Sequence, residues 1–150
     1  MAKKKIEFKK RSRLLTGAML KDFGACDSQR KLFRKLFGKG VNVTVKRTLD
    51  AAKKGLDVAY LVVMMSSEAE AQYYNATDKV WVSGGFKRRE AALDRKYKRH
   101  DDNWYEQTDD YHQKYYDAQD AVSREYDIAC NTLRAQYWIN DPAPRMTRYG

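Results

Sequence analysis

The clearest pattern of apolar and polar positions runs from Asp27 to Gly38. Turned at about 100° per residue from Arg30, the cations Arg30, Lys31, Arg34 and Lys35 fall at roughly 0–140°, and Leu32, Phe33, Leu36 and Phe37 at roughly 200–340°. Two faces that do not overlap predict a helix, begun by Asp27 or Ser28 and stopped by Gly38. Upstream, Leu15, Met19 and Phe23 predict a helix capped by Ser12 and ended by Gly24. Downstream, Gly38-Lys39-Gly40 is a turn, and Val41–Val43 forms a short extended piece. Thr44 then caps a helix that Gly55 closes, with Val45, Leu49 and Ala52 on one face and Lys46, Arg47, Lys53 and Lys54 opposite. Val58 to Met65 is apolar nearly all round and predicts the buried centre. Ser67 with Glu70 forms a capping box for a helix through Ala71 and Tyr74 to Val82.

Gly84-Gly85 breaks the chain, and a helical region follows from Phe86 to Ile139. Tyr97, Trp104, Tyr111 and Ala118 are spaced by seven; Asp101, Thr108, Tyr115 and Val122 follow four residues behind, and Tyr126, Ala129, Leu133 and Tyr137 continue the stripe. This 3–4 spacing resembles a coiled-coil seam, although Asp101 and Thr108 are polar intrusions. Unbroken, the region would reach about 80 Å at ~1.5 Å per residue. One long helix, or two collinear ones, is favoured over a hairpin broken at His100–Asn103. The predicted fold class is all-α, a small helical head followed by a long helix or helical hairpin. The expected organisation is a basic flexible arm (1–13), a compact helical domain (14–82), a long helical region (86–139) and a tail (140–150).

Composition supports helix: the only prolines are Pro142 and Pro144. The apolar fraction of 43% suffices for a core. No apolar run approaches the roughly 20 residues of a membrane span, so no membrane contact is expected. Lys3–Lys5 leads into Ile6, Glu7 and Phe8 rather than a secretory leader. Cys26 and Cys130 are far apart and read as reduced thiols, with Cys26 expected to be small and buried.

Charge changes the picture most. Residues 1–60 hold 17 Lys/Arg against 5 Asp/Glu, whereas residues 61–150 hold 13 against 15. Folding requires no such asymmetry, so it points to an anionic partner. Four patches share the basic sign: in the amino-terminal part the arm (Lys9, Lys10, Arg11, Arg13), the second helix (Arg30, Lys31, Arg34, Lys35) and the third (Lys46, Arg47, Lys53, Lys54), and beyond it the start of the long region (Lys87, Arg88, Arg89, Arg95, Lys96, Arg99).

Catalytic chemistry finds little support. His100 and His112 lack ligand spacing, and their expected place is a polar helix surface. The pairs Asp101-Asp102 and Asp109-Asp110 splay about 100° apart on a helix. Neither cysteine has a partner base, and neither glycine-rich turn has phosphate-loop spacing. No cofactor, metal or catalytic residue is therefore expected. The aromatic residues Tyr97, Trp104, Tyr111 and Tyr115 are candidates for contact with protein.

One resemblance adds to this. Gly24-Ala25-Cys26, Leu32-Phe33, Phe37-Gly38, Val43-Thr44, Ala51-Ala52 and Gly55-Leu56-Asp57 follow the order of a helical module in uncharacterised phage and prophage proteins, which residues 24–57 resemble. Ser67–Tyr74 and Glu125–Trp138 are more loosely similar to its helical continuation. The chain departs in its extra Lys and Arg and its basic arm. The resemblance implies a viral or mobile-element origin and a bacterial host cytoplasm; it brings no active site. Together these readings lead to a non-enzymatic accessory protein that docks on a host or viral nucleoprotein machine, as an inhibitor in one concrete form. The partner is nucleic acid, a nucleoprotein complex or an acidic protein surface. Alternatives are a sequence-nonspecific DNA/RNA binder and a virion component that self-associates through the long helix.

Overall fold

The computed structural model describes residues 4–145; the first three residues of the expected arm and residues 146–150 of the tail lie outside the described residues. The chain is mainly helical and divides into two compact units, residues 4–76 with 130–145, and Thr77–Ala129.

In the first unit, strand β1 (Arg13–Thr16) pairs antiparallel with β2 (Gly40–Val43), Leu15 opposite Val41. The expected helix from Ser12 is thus corrected. Its first residues join a strand, and α1 (Gly17–Asp22) starts only after Thr16, whose hydroxyl accepts from the Met19 amide at 3.2 Å. The fold is mainly α, as expected, with this one small sheet among the described residues. Helix α2 (Asp27–Phe37) ends at Gly38, which holds φ +66°, a conformation that favours glycine. Helix α3 (Val45–Lys53) is capped by the Thr44 hydroxyl, which accepts from the Arg47 amide at 3.1 Å. Helix α4 (Tyr60–Val63) buries Leu61 and Val62. Helix α5 (Ser67–Ser83) is capped by Ser66 rather than Ser67, its hydroxyl accepting from the Ala69 amide at 3.2 Å.

The core of this unit gathers Leu15, Leu20, Phe33, Val43, Leu61, Met64, Met65 and Tyr73 around Ala135, Tyr137, Trp138 and Ile139, which close the last helix, α7 (Asp109–Ile139). Full burial of such side chains stabilises by about 1.5–3 kcal/mol each, so the carboxyl end of α7 is a core element here. Just beyond it, fully buried Asp141 accepts from the Ser66 amide (2.7 Å), the Ser66 hydroxyl (2.8 Å) and the Ala143 amide (3.0 Å).

Residues 4–12, within the expected arm, form neither helix nor strand and are held by side chains of the same unit. Gln72 accepts from the Ile6 amide at 2.9 Å and donates to the Lys4 carbonyl at 3.2 Å. Asn140 accepts from the Lys10 amide at 2.6 Å and donates to the Lys10 carbonyl at 3.2 Å. Phe8 meets Tyr137 edge-on at 4.9 Å.

In the second unit the expected unbroken helix from Phe86 to Ile139 is absent. Helix α6 (Phe86–Lys96) gives way to a left-handed Lys98 (φ +52°), a 3₁₀ turn (Asp102–Glu106) and then α7. The polar residues that interrupted the heptad stripe are the punctuation: Asp101 precedes the 3₁₀ turn, and the Thr108 hydroxyl accepts from the Tyr111 amide at 3.1 Å. Helices α6 and α7 pack antiparallel in this unit, joined by Asp94–Tyr115 and the ion pair Arg89–Glu125. Phe86 and Trp81 both pack on Tyr126.

Candidate anion-binding surface

The first unit brings cations together from separate elements. On α2, Lys31, Arg34 and Lys35 are exposed, while half-buried Arg30 donates to Asp27 at 3.2 Å. On α3, Lys46, Arg47, Lys53 and Lys54 are exposed, and the Arg47 guanidinium donates to the Asn42 carbonyl at 2.8 Å.

Between α1, α2 and the turn that follows lies an open groove of about 590 Å³, lined by Thr16, Gly17, Ala18, Lys21, Arg30, Phe33, Arg34, Gly38 and Lys39. Four cations and no carboxylate line it. Two local features build it. The left-handed Gly38 turns the chain sharply after α2, and the Gly17 amide donates to the Lys39 carbonyl at 3.0 Å, which fixes the turn beside α1. The accessible lining is almost wholly carbon. The long side chains therefore contribute methylene stems to its walls, with charged ends kept in water. Arg30 and Arg34 were among the sequence candidates; Lys21 and Lys39 were missed. Their only sequence signal was the Gly-Lys-Gly turn and a lone cation on a short helix.

Other candidates serve elsewhere. Lys9, Lys10 and Arg11 are exposed on the moored segment, with Lys9 paired to Glu7 at 2.8 Å. Arg13 is structural: it donates to the carbonyls of Trp138 (2.8 Å) and Asp141 (2.6 Å) and lies over the Trp138 ring. Burial pulls its pKa down, and the Asp141 charge opposes that shift. In the second unit Lys87, Arg88 and Arg95 are exposed, whereas Arg89 pairs with Glu125, Lys96 lies over Tyr97 at 5.4 Å, and Arg99 lies over Trp104 at 4.8 Å.

The aromatic row is corrected most sharply. Trp104 and Tyr115 are each only 3% exposed. The Tyr111 hydroxyl donates to the Tyr97 carbonyl at 2.7 Å, and Tyr97 meets Tyr111 and Tyr115 edge-on at 5.6 and 5.8 Å. These rings hold α6, the turn and α7 together, so they offer little surface to a partner. Tyr105, at 85% exposure, is the bare ring on that turn. Burial, and secondarily a hydrogen bond to Asp94 (2.6 Å), pushes the Tyr115 hydroxyl up to about 12.

Both histidines are engaged: His100 lies 3.3 Å from Asp94, and His112 stacks on Trp104 at 4.3 Å and donates to its carbonyl at 2.7 Å. Cys26 is exposed at the start of α2 rather than buried. The Ser28 hydroxyl at 3.2 Å is the leading cause that pulls its thiol pKa down. Among the described residues no group of three or more His, Cys, Asp or Glu is placed to hold a metal ion, and no helix is long and apolar enough to cross a membrane.

Comparison with family models, curated proteins and solved structures finds no match.

Proposed function

We propose that this chain is a phage-encoded, non-enzymatic accessory protein that docks on a host or viral nucleoprotein machine by gripping nucleic-acid phosphate with its first unit. One observation carries the reading: Lys21, Arg30, Arg34 and Lys39 converge on a groove without a carboxylate in its lining. Like charges held side by side repel one another in the free protein. A polyanion relieves that repulsion and releases its own condensed counterions on binding. Exposed Lys46, Lys53 and Lys54 on α3 extend the same sign of charge within the unit. The likeness of residues 24–57 to a phage module supports a viral origin and action in the bacterial cytoplasm. Interference with a host defence or nucleic-acid enzyme is the concrete form of such docking.

Fluorescence anisotropy with labelled DNA and RNA tests the grip. If about six phosphates are engaged, affinity falls about 10³-fold between 50 and 200 mM salt. Replacing Lys21, Arg30, Arg34 and Lys39 by glutamine flattens the salt slope by about one unit for each phosphate no longer neutralised. Unchanged binding by that variant, or binding indifferent to salt, overturns the reading. A pull-down with nuclease separates its two forms. Loss of every partner leaves a sequence-nonspecific binder, and a protein retained after nuclease identifies the docked machine.

A further inference from the structure

We infer that the groove between α1 and α2 seats one unpaired nucleotide, base and sugar on its floor and flanking phosphates at its rim, so that the chain prefers single-stranded to duplex nucleic acid. This rests on the phosphate-binding reading and adds the strand type.

Size comes first. A contact to a backbone phosphate oxygen needs only an exposed cation, whereas the groove measures about 590 Å³, inside the about 300–1,000 Å³ range of pockets that enclose whole small molecules. Lining comes second. Its accessible lining is almost wholly carbon, with Gly17, Ala18 and Gly38 as small residues over the buried Phe33 and the cationic residues adding methylene stems. Carbon does nothing for phosphate but favours the faces of a base or sugar. A duplex keeps its bases stacked inside and turns phosphate outward, so it would meet the charged rim and leave the floor empty. A single strand releases a base at little cost, and the guanidinium plane of exposed Arg34 suits its π-face.

The small residues create the opening. A Cβ at Gly17 would already lie 3.9 Å from the Phe33 ring, and Ala18 is exposed. A bulky side chain at position 18 fills the floor without changing any charge.

The test compares wild type, Ala18→Trp and the milder Ala18→Leu on a labelled single strand, its duplex, and inorganic polyphosphate, which carries charge without bases. Circular dichroism checks that each variant keeps its helix content. One stacked base accounts for about tenfold or more in affinity. Ala18→Trp is therefore expected to weaken single-strand binding by that factor, with Ala18→Leu intermediate. Duplex and polyphosphate binding stay within about twofold and salt slopes are unchanged, because the cations still meet phosphate. Equal loss on all three probes, no loss on any, or a wild type that binds duplex as tightly as single strand overturns the subsite while leaving the phosphate grip intact. Failure of wild type to bind any of the three probes overturns the phosphate grip itself.

Discussion

Removing the Asp141 carboxylate is the most demanding test of how the first unit is held. Fully buried, it accepts from the Ser66 amide, the Ser66 hydroxyl and the Ala143 amide at 2.7–3.0 Å. Asp141→Ala strands three donors. Hydrogen bonds to a charged acceptor contribute about 1.5–3 kcal/mol each when deleted singly. They share one carboxylate and are not additive, so a loss of about 3–5 kcal/mol is expected, in line with the breaking of other buried charged partnerships. Ser66 also caps α5 through the Ala69 amide, a bond typically worth about 1 kcal/mol that Asp141→Ala leaves in place. Against a whole-domain stability of about 5–15 kcal/mol, the loss from Asp141→Ala is a large fraction. With a urea slope near 2 kcal/mol/M, the unfolding midpoint falls by about 2 M. Asp141→Asn keeps one acceptor oxygen and falls about half as far. Equilibrium urea unfolding followed by circular dichroism reads these values. Ser66→Ala added to Asp141→Ala costs only about the value of that cap, because the hydroxyl's bond to Asp141 is already gone. A midpoint for Asp141→Ala within about 0.5 M of wild type, a shift of only about 1 kcal/mol, would refute the reasoning, as would full additivity with Ser66→Ala.

Three further outcomes are expected. Tyr115 has its pKa raised to about 12 from an ordinary 10. Its neutral form is the one the fold stabilises, so that contribution is whole below pH 10 and is lost as pH rises from 10 to 12. Tyr115→Phe abolishes this alkaline component and costs about 1 kcal/mol at neutral pH by removing one of the hydrogen bonds to Asp94; thermal melts across that pH window check both effects. Thr44→Ala, which removes the acceptor for the Arg47 amide, lowers stability by about 1 kcal/mol in urea unfolding, and Thr44→Ser restores most of it. Gly84→Ala places a Cβ 2.4 Å from the Val80 carbonyl; the chain between α5 and α6 must shift, and faster amide exchange around residues 80–86 reports it.

Much of the first unit was legible because its signals are local. Gly38, Thr44 and Gly55 act on their immediate neighbours, and α2 and α3 begin and end within two residues of where those residues place them. Strand β1 was not legible, since its hydrogen bonds go to β2, more than twenty residues away, and Leu15 serves a strand as well as a helix face. The break at residues 97–108 was legible only as the less favoured alternative at His100–Asn103, because rings spaced by seven satisfy a seam between two long helices and equally a cluster inside a folded pair. Asp101 and Thr108 held the answer, Thr108 as a cap and Asp101 as the residue where the 3₁₀ turn begins, rather than as flaws in a stripe. The cationic surface was readable as a tally of charge. That Lys21 and Lys39 share a groove with Arg30 and Arg34 depends on how α1 lies beside α2, which no local pattern encodes.

The mooring of residues 4–10 has an evolutionary corollary. Gln72 and Asn140 engage only main-chain atoms of that segment, leaving Lys4, Lys5, Lys9 and Lys10 outside the attachment. Substitution can therefore redraw the electrostatic character of this edge, even invert it, while its path over the protein stays as it is. Drift towards a new ligand here carries little folding penalty.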